Sequence, residues 1–381
     1  MRIAYCLVDS SQKGGMERII CAKANYLADQ LGYEVLIITT DRNSKENYFS
    51  FSEKIIFHDL GVNYFELNQY SSPLRIVKQI KKRKEHKRKL ANLLVDIQAD
   101  IVISTYTHEF TLLCDIKEDN SIKIAEIHFS KEYSQINNKI KKQSFVLNLI
   151  TTLAEKRKHF YIHKYNKFVV LTKSDLQNWK RCDNIVHIYN MLPFSTHSLS
   201  SLKNKRVISI GRLEPEKGFE TLIDIWEIVI KEYPDWHLDI FGSGDNHEEL
   251  QKQITRKRLT DSISINLPKK EISIEYLNSS LYVMTSYYEG FGMVLIEAMQ
   301  CGVPCISFNC PHGPSEIIEN GRTGFIIEDR NLQEFADKII QLIENKELRI
   351  QMGRNAKKSS ERFSPNSIMK EWDTLFKSLV E

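Results

Sequence analysis

The chain has 381 residues, 42% hydrophobic and 27% charged, which suits a folded protein of two ordinary domains. No run of 18 apolar residues occurs, so no membrane-spanning helix is expected, and the first nine residues lack a small-residue cleavage site and read as a strand, not a signal peptide. The net charge of +4 is unevenly spread: residues 1–195 hold 30 Lys and Arg against 21 Asp and Glu, and residues 196–381 hold 23 against 28.

Residues 3–8 form the first apolar run. A loop with Gly14 and Gly15 leads to an amphipathic helix over 16–30, then a strand at 34–39. A charged helix covers about 74–97, followed by strands at 101–104 and 122–127. A long helix over about 142–163 precedes strands at 167–171 and 185–188. Residues 191–205, with Pro193 and several serines, read as a linker. Beyond it, strands are expected at 207–210, 237–241, 263–265, 281–286, 305–308 and 325–327. Between the first two lies a helix with Leu222, Ile223, Trp226, Val229 and Ile230 at helical spacing. The last helix, 365–380, opens on Ser364-Pro365, a cap followed by a first-turn proline. Alternation of strand and helix implies α/β domains with parallel sheets covered on both faces.

Seven cysteines are present, an odd number, and Cys301, Cys305 and Cys310 lack the paired spacing of a zinc site. Reduced thiols in a cytosolic protein are expected. The basic excess concentrates at 75–89, 139–142 and 156–164. A solvated helix face and contact with an anionic membrane surface both fit these stretches. Nucleic acid fits poorly, because no stacking platform or recognition motif accompanies the charges.

Two clusters carry chemistry. Residues 289–297, Glu-Gly-Phe-Gly-Met-Val-Leu-Ile-Glu, follow a buried-strand pattern and run into a helix start. Glu289 would then sit in the loop after a strand and Glu297 in the first turns of the next helix, where side chains tilt back toward the amino end. The amides of Gly292, Met293 and Val294 would be open to an anion. Residues 211–218, Gly-Arg-Leu-Glu-Pro-Glu-Lys-Gly, likewise follow an apolar strand. They supply Arg212, a fork donor, and Lys217, a point charge, both suited to a pyrophosphate. Loops at the carboxyl ends of parallel strands are where such sheets bind ligands.

Together with Gly14-Gly-Met-Glu-Arg18, Phe241-Gly-Ser-Gly244 and the stretch Gly313 to Gly324, these clusters run in the order of glycosyltransferase family 4. The chain resembles that family, the retaining GT-B-fold transferases that use sugar nucleotides. The resemblance implies two Rossmann-like doubly wound domains facing an interdomain cleft. Residues 1–192 would form the acceptor-side domain, joined by the helix at 365–381, and 203–364 the donor-binding domain. It implies that Arg212 and Lys217 hold the donor diphosphate, that Glu297 binds the ribose, and that Glu289 contacts the transferred sugar. Gly15 would bring an amide near the phosphates, Gly242 and the Gly292–Val294 amides would line the donor, and Leu267 would border the base. His128, in Ala125-Glu-Ile-His-Phe129, would take the place of the family's active-site histidine. His312 could be a ligand contact or a plain loop residue.

No Asp-x-Asp occurs, so the metal clamp of the other large glycosyltransferase fold is lacking, and transfer without metal or other cofactor is expected. The 310–318 loop looks like that of bacterial surface-polysaccharide transferases, which implies a UDP-hexose or UDP-N-acetylhexosamine donor and a glycan or lipid-linked acceptor. The site would face the cytoplasm, with the protein peripheral on the membrane. A nicotinamide-dependent oxidoreductase is disfavoured because no Gly-x-Gly-x-x-Gly follows the first strand. Another GT-B enzyme, such as an epimerase, and an inactive partner subunit are the remaining alternatives.

Overall fold

The strands form because apolar runs of three to six residues, most of them rich in Ile and Val, can be buried on both faces of a parallel sheet. The computed structural model describes residues 1–43, 45–131, 157–179 and 182–381. It holds two wholly parallel sheets. The first comprises β1 (Arg2–Leu7), β2 (Glu34–Thr39), β3 (Ile56–Asp59), β4 (Ile101–Ser104), β5 (Ile122–Glu126), β6 (Lys167–Val170) and β7 (Ile185–His187). Its order is β3-β2-β1-β4-β5-β6-β7. The second comprises β8 (Arg206–Ile210), β9 (His237–Phe241), β10 (Ile263–Asn266), β11 (Leu281–Met284), β12 (Cys305–Phe308) and β13 (Gly324–Ile327), ordered β10-β9-β8-β11-β12-β13.

Both orders are doubly wound. Each chain steps outward from its first strand, then returns to the opposite side of that strand. The reversal opens a crevice at the carboxyl ends of β1 and β4 in one sheet, and of β8 and β11 in the other. The fold is thus two Rossmann-like α/β domains.

Two compact units follow from the contacts. Among the described residues, the first holds Met1–His128, 157–193 and Pro365–Glu381, and the second holds 129–131 and 194–364. The carboxyl-terminal helix Pro365–Val380 therefore folds with the first unit. Ile368, Met369, Trp372 and Phe376 sit at helical spacing and join the core that contains Ile3, Tyr5, Ile37 and Ile103. Burying each such side chain stabilises by about 1.5–3 kcal/mol. The second core packs Leu222, Trp226 and Val229 of the helix Phe219–Glu232 against β8, β9 and β11.

Several expected boundaries move. The strand expected over 281–286 ends at Met284, because Thr285 turns its hydroxyl to the Gly218 carbonyl and its own carbonyl to Arg330. The edge strand β3 and the 3₁₀ turn Tyr64–Gln69 were not expected; β3 is half exposed and ends in His58 and Asp59, so it lacks a buried-strand pattern. The expected helix over 142–163 lies largely outside the described residues, of which 157–162 are helical. The basic stretch 139–142 and the start of that at 156–164 also lie outside them. All seven cysteines are free thiols, six of them buried. No helix among the described residues is long and apolar enough to cross a membrane.

Candidate functional site

The loop that leaves β8 is fastened at both ends. Gly211 and Leu213 donate backbone hydrogen bonds to the carbonyls of Phe241, the last residue of β9, and Ser243 in the loop after it. That approach is close enough for a Cβ on Gly242 to collide with the Gly211 carbonyl oxygen, so packing within the chain already demands glycine at 242. A 3₁₀ turn, Pro215–Lys217, then leads to Gly218 in the left-handed region at φ +63°. A Cβ there would meet the Thr285 carbonyl oxygen. Gly218 accordingly lets the β8 loop lie against the loop leaving β11, and Tyr287 donates its amide to the Glu216 carbonyl at 2.9 Å. The two loops singled out in the sequence thus meet at the second sheet's reversal point.

Their charged residues pair. Lys217 Nζ lies 2.7 Å from Glu289 Oε1, with the side chains 20% and 10% exposed. Ser286 Oγ donates to the same carboxylate oxygen at 2.7 Å. The Glu289 amide donates to the Pro311 carbonyl, which anchors the loop from its other side. Arg212 reaches no such partner across the loops. Its guanidinium donates to Glu216 Oε1 at 2.7 Å and its side chain is largely exposed, whereas Glu216 is buried.

Beyond Glu289 the chain turns through Gly292, at φ +95°, into the helix Met293–Gln300. The left-handed turn needs glycine. It leaves the amides of Gly292, Met293 and Val294 without intrahelical partners at the positive end of the helix dipole. Glu297, one turn further on, is buried and takes a hydrogen bond of 3.3 Å from the Tyr276 hydroxyl, which also donates to the Val294 carbonyl. Tyr282 of β11 is fully buried and donates its hydroxyl to the Ile210 carbonyl at 3.4 Å. Burial chiefly, and then the nearby Glu289 with a smaller push from Glu297, raises its phenol well above the ordinary value. Leu267, just past β10, is exposed at the end of the sheet edge. His312 is buried and stands at φ +61°, a rare conformation for a side chain with a Cβ, directly before Gly313. A Cβ on Gly313 would strike the Phe291 carbonyl oxygen, so this loop is held tightly against 289–292.

Gly15 and His128 belong to the first unit. Gly15 is the first residue of the helix Gly15–Asp29, at the reversal point after β1, and a Cβ there would meet nothing within 4 Å among the described residues. No packing within the unit requires glycine at that position. His128 follows β5 with its side chain 8% exposed and Nε2 3.5 Å from Glu126 Oε1. Burial, and secondarily the charge of Lys23, lowers its pKa to about 4 against the opposing pull of Glu126.

Sequence reading did not mark Ser286, Glu216, Tyr276 or Arg330. The first three hold Glu289, Arg212 and Glu297, and their residue types alone carry no signal. Arg330 stacks 3.6 Å from the Tyr287 ring centroid and donates to the Thr285 carbonyl at 2.8 Å, clamping the end of β11. Among the described residues, no group of three or more acids, histidines or cysteines is placed to hold a metal ion. What the site offers is two cations, a row of helix-end amides and two shielded carboxylates, a set suited to a phosphate-bearing, polyhydroxylated ligand.

Residues 193–359 match the family model described as Glycosyl transferases group 1. A glycosyltransferase of Haemophilus influenzae is 30% identical over 379 residues, covering 97% of this chain and 98% of that one. The chain belongs to the group 1 glycosyl transferases. This transferase is also 29% identical over 382 residues to the amylovoran biosynthesis glycosyltransferase AmsD of Erwinia amylovora, covering 97% and 98% of the two chains. Its fold matches a TarM variant of S. aureus, solved with fondaparinux, α-GlcNAc-glycerol and UDP. The TM-score there is 0.80 at 18% identity, covering 98% of this chain and 99% of that one. As GT-B glycosyltransferases neighbour it in structure, the GT-B expectation holds at the level of the fold.

Proposed function

We propose that this glycosyl transferase is a family 4 enzyme that moves a hexose or N-acetylhexosamine from a UDP-sugar to a glycan or lipid-linked glycan. The product anomer is retained, no metal takes part, and the process served is surface-polysaccharide synthesis. The observation that carries the reading is the Lys217–Glu289 pair beside the amino end of the helix Met293–Gln300, at the reversal point of the second sheet. The amylovoran role in the name of AmsD and the UDP bound in the TarM structure favour the process and the nucleotide.

In this reading Arg212 and Lys217, with the amides of Gly292, Met293 and Val294, hold the diphosphate. They offset the charge that grows on it as the sugar leaves. Lys217 then turns from Glu289 toward phosphate, or bridges both. Glu297 takes the ribose hydroxyls, the Leu267 backbone and Gly242 border the nucleoside, and Glu289 positions the sugar. Gly15 and His128 hold their assigned roles by resemblance alone. The bond from the anomeric carbon to the phosphate oxygen breaks, the acceptor oxygen bonds to the same face, and its proton passes to the departing phosphate. A retaining hydrolase would instead need a carboxylate nucleophile and a separate acid, and among the described residues no second carboxylate is clearly placed beside Glu289 for that arrangement.

Thermal-shift titration with a panel of nucleotide sugars tests the donor, since a ligand bound only by the folded state raises the melting temperature by mass action. A UDP-hexose or UDP-N-acetylhexosamine should stabilise, and stabilisation by GDP-sugars alone would overturn the assignment. The anomer of the product, read by NMR, tests retention.

A second reading concerns location at an anionic membrane on the cytoplasmic side. The helix Ser72–Ile97 leaves Leu74, Ile76, Val77 and Ile80 exposed in its first turns. At 100° per residue, Ile76, Val77 and Ile80 share the outward side with Lys81, Lys84, Lys87 and Arg88, which are also exposed. Apolar side chains among cations suit an interface with acidic lipid.

A further inference from the structure

Outside the donor site, the least expected charges lie in the first unit. Lys23 sits mid-way along the helix Gly15–Asp29 and is almost wholly buried. Its Nζ lies 2.6 Å from both carboxylate oxygens of Glu126, the last residue of β5. The ammonium also stands 3.7 Å from the Trp372 ring centroid of the carboxyl-terminal helix. Replacing a buried ion pair of this kind with apolar residues is often neutral or stabilising, so stability alone is a weak reason for one. The pair has a neighbour: His128, two residues beyond Glu126, whose Nε2 is buried with no hydrogen-bond partner among the described residues and faces Glu126 Oε1.

We propose that Lys23 and Glu126 are positioning residues for His128: the carboxylate orients the ring with Nε2–H toward it, and the ammonium balances that carboxylate's charge beside the buried ring. The proposal rests on the role given to His128 above. Its logic is electrostatic. A lone buried carboxylate beside a histidine would draw a proton onto the ring. Lys23 supplies the opposing charge, which offsets the carboxylate's pull on a ring that burial already disfavours charging. The titratable groups that face the ring are Glu126 from its own segment and Lys23 from the helix, while Tyr5 of β1 lies near Glu126 with its phenol raised by burial first and that carboxylate second. A neutral imidazole with Nε2–H committed to Glu126 has only Nδ1 left, and Nδ1 is then an acceptor. His128 would therefore take a hydrogen bond from a sugar hydroxyl rather than donate one. The separation of 3.5 Å between Nε2 and Oε1 closes into a hydrogen bond when the sugar engages the other side of the ring.

Nitrogen-15 NMR of histidine-labelled full-length protein reads tautomer and protonation directly, without reference to turnover. In the wild type His128 should show the Nε2–H tautomer and no titration between about pH 5 and 8. Lys23→Met should bring proton uptake by the Glu126–His128 pair into that window, with a new limb in the pH–kcat profile and a loss of roughly 10- to 100-fold in kcat. Where that variant does not fold, Lys23→Met/Glu126→Leu removes both charges and should leave mixed tautomers with kcat lowered more than KM is changed. An Nδ1–H tautomer in the wild type overturns the proposal. So does a tautomer, titration and pH profile unchanged in whichever of these variants folds. Full turnover in His128→Ala, with the NMR result intact, would instead remove the assigned role of His128 and leave its electrostatic setting standing.

Discussion

Lys217→Met removes the cation that pairs with Glu289 and nearly preserves side-chain volume. Breaking a buried pair by deleting one partner costs about 3–5 kcal/mol, because the survivor keeps its charge without compensation. Lys217 is 20% exposed and Ser286 still donates to the carboxylate, so about 2–3 kcal/mol is the expected loss of stability. For a unit of this size that is a fall of about 4–12 °C in melting temperature. Catalysis should lose more than folding does, since the same ammonium is assigned to the leaving diphosphate. Removal of such a donor costs about 2–4 kcal/mol in the transition state, or roughly 30- to 1,000-fold in kcat/KM. The two effects separate in Lys217→Met/Glu289→Gln, where the stranded charge is gone: stability should recover while turnover stays low. Release of UDP from the donor in the presence of acceptor measures turnover, and calorimetry measures stability. Wild-type kcat/KM in Lys217→Met would refute the phosphate clamp. A double variant no more stable than Lys217→Met would refute the argument from the stranded carboxylate.

Gly218→Ala forces a Cβ toward the Thr285 carbonyl at φ +63°, and the strained residue plus displaced loop should cost about 2–4 kcal/mol; an unchanged melting temperature would show that the β8 and β11 loops do not need this close approach. Acid should destabilise the first unit. His86 and His128 are each lowered to about 4, by burial first, from an unfolded value near 6.5. The unfolded chain therefore binds protons that the folded chain refuses: stability is full above about pH 6.5 and falls as pH drops toward 4, by on the order of 3 kcal/mol per histidine. Unfolding free energies flat across that range would contradict it. Donor turnover should survive EDTA, and activity lost in EDTA and restored by manganese would count against metal-free transfer. Finally, Ile76→Asn/Ile80→Asn should weaken co-sedimentation with vesicles containing acidic lipid, while equal binding to neutral vesicles would remove the electrostatic part of the membrane reading.

Much of the fold is legible in the chain because the relevant signals are local. A run such as Ile3–Leu7 or Leu281–Met284 is too apolar to be anything but buried, and Gly218, Gly292 and Gly313 mark turns that other residues resist. Edge strand β3 escaped because half of it faces solvent and its composition carries no buried-strand pattern. Boundaries such as Met284 escaped because a single hydroxyl, that of Thr285, leaves the sheet for a carbonyl 67 residues away.

By itself, the sequence determined the alternation of strand and helix, the two charged loops at strand ends, and the membership of a transferase family. Only the tertiary structure decided which charges meet. Lys217 and Glu289 are 72 residues apart and Lys23 and Glu126 are 103 apart, and each pair forms because strand order brings two loops or two elements together. Arg212 lies in the same loop as Lys217 yet turns outward to Glu216. Periodicity records which face of an element is apolar, whereas the partner that a charge finds depends on the packing of elements distant in sequence.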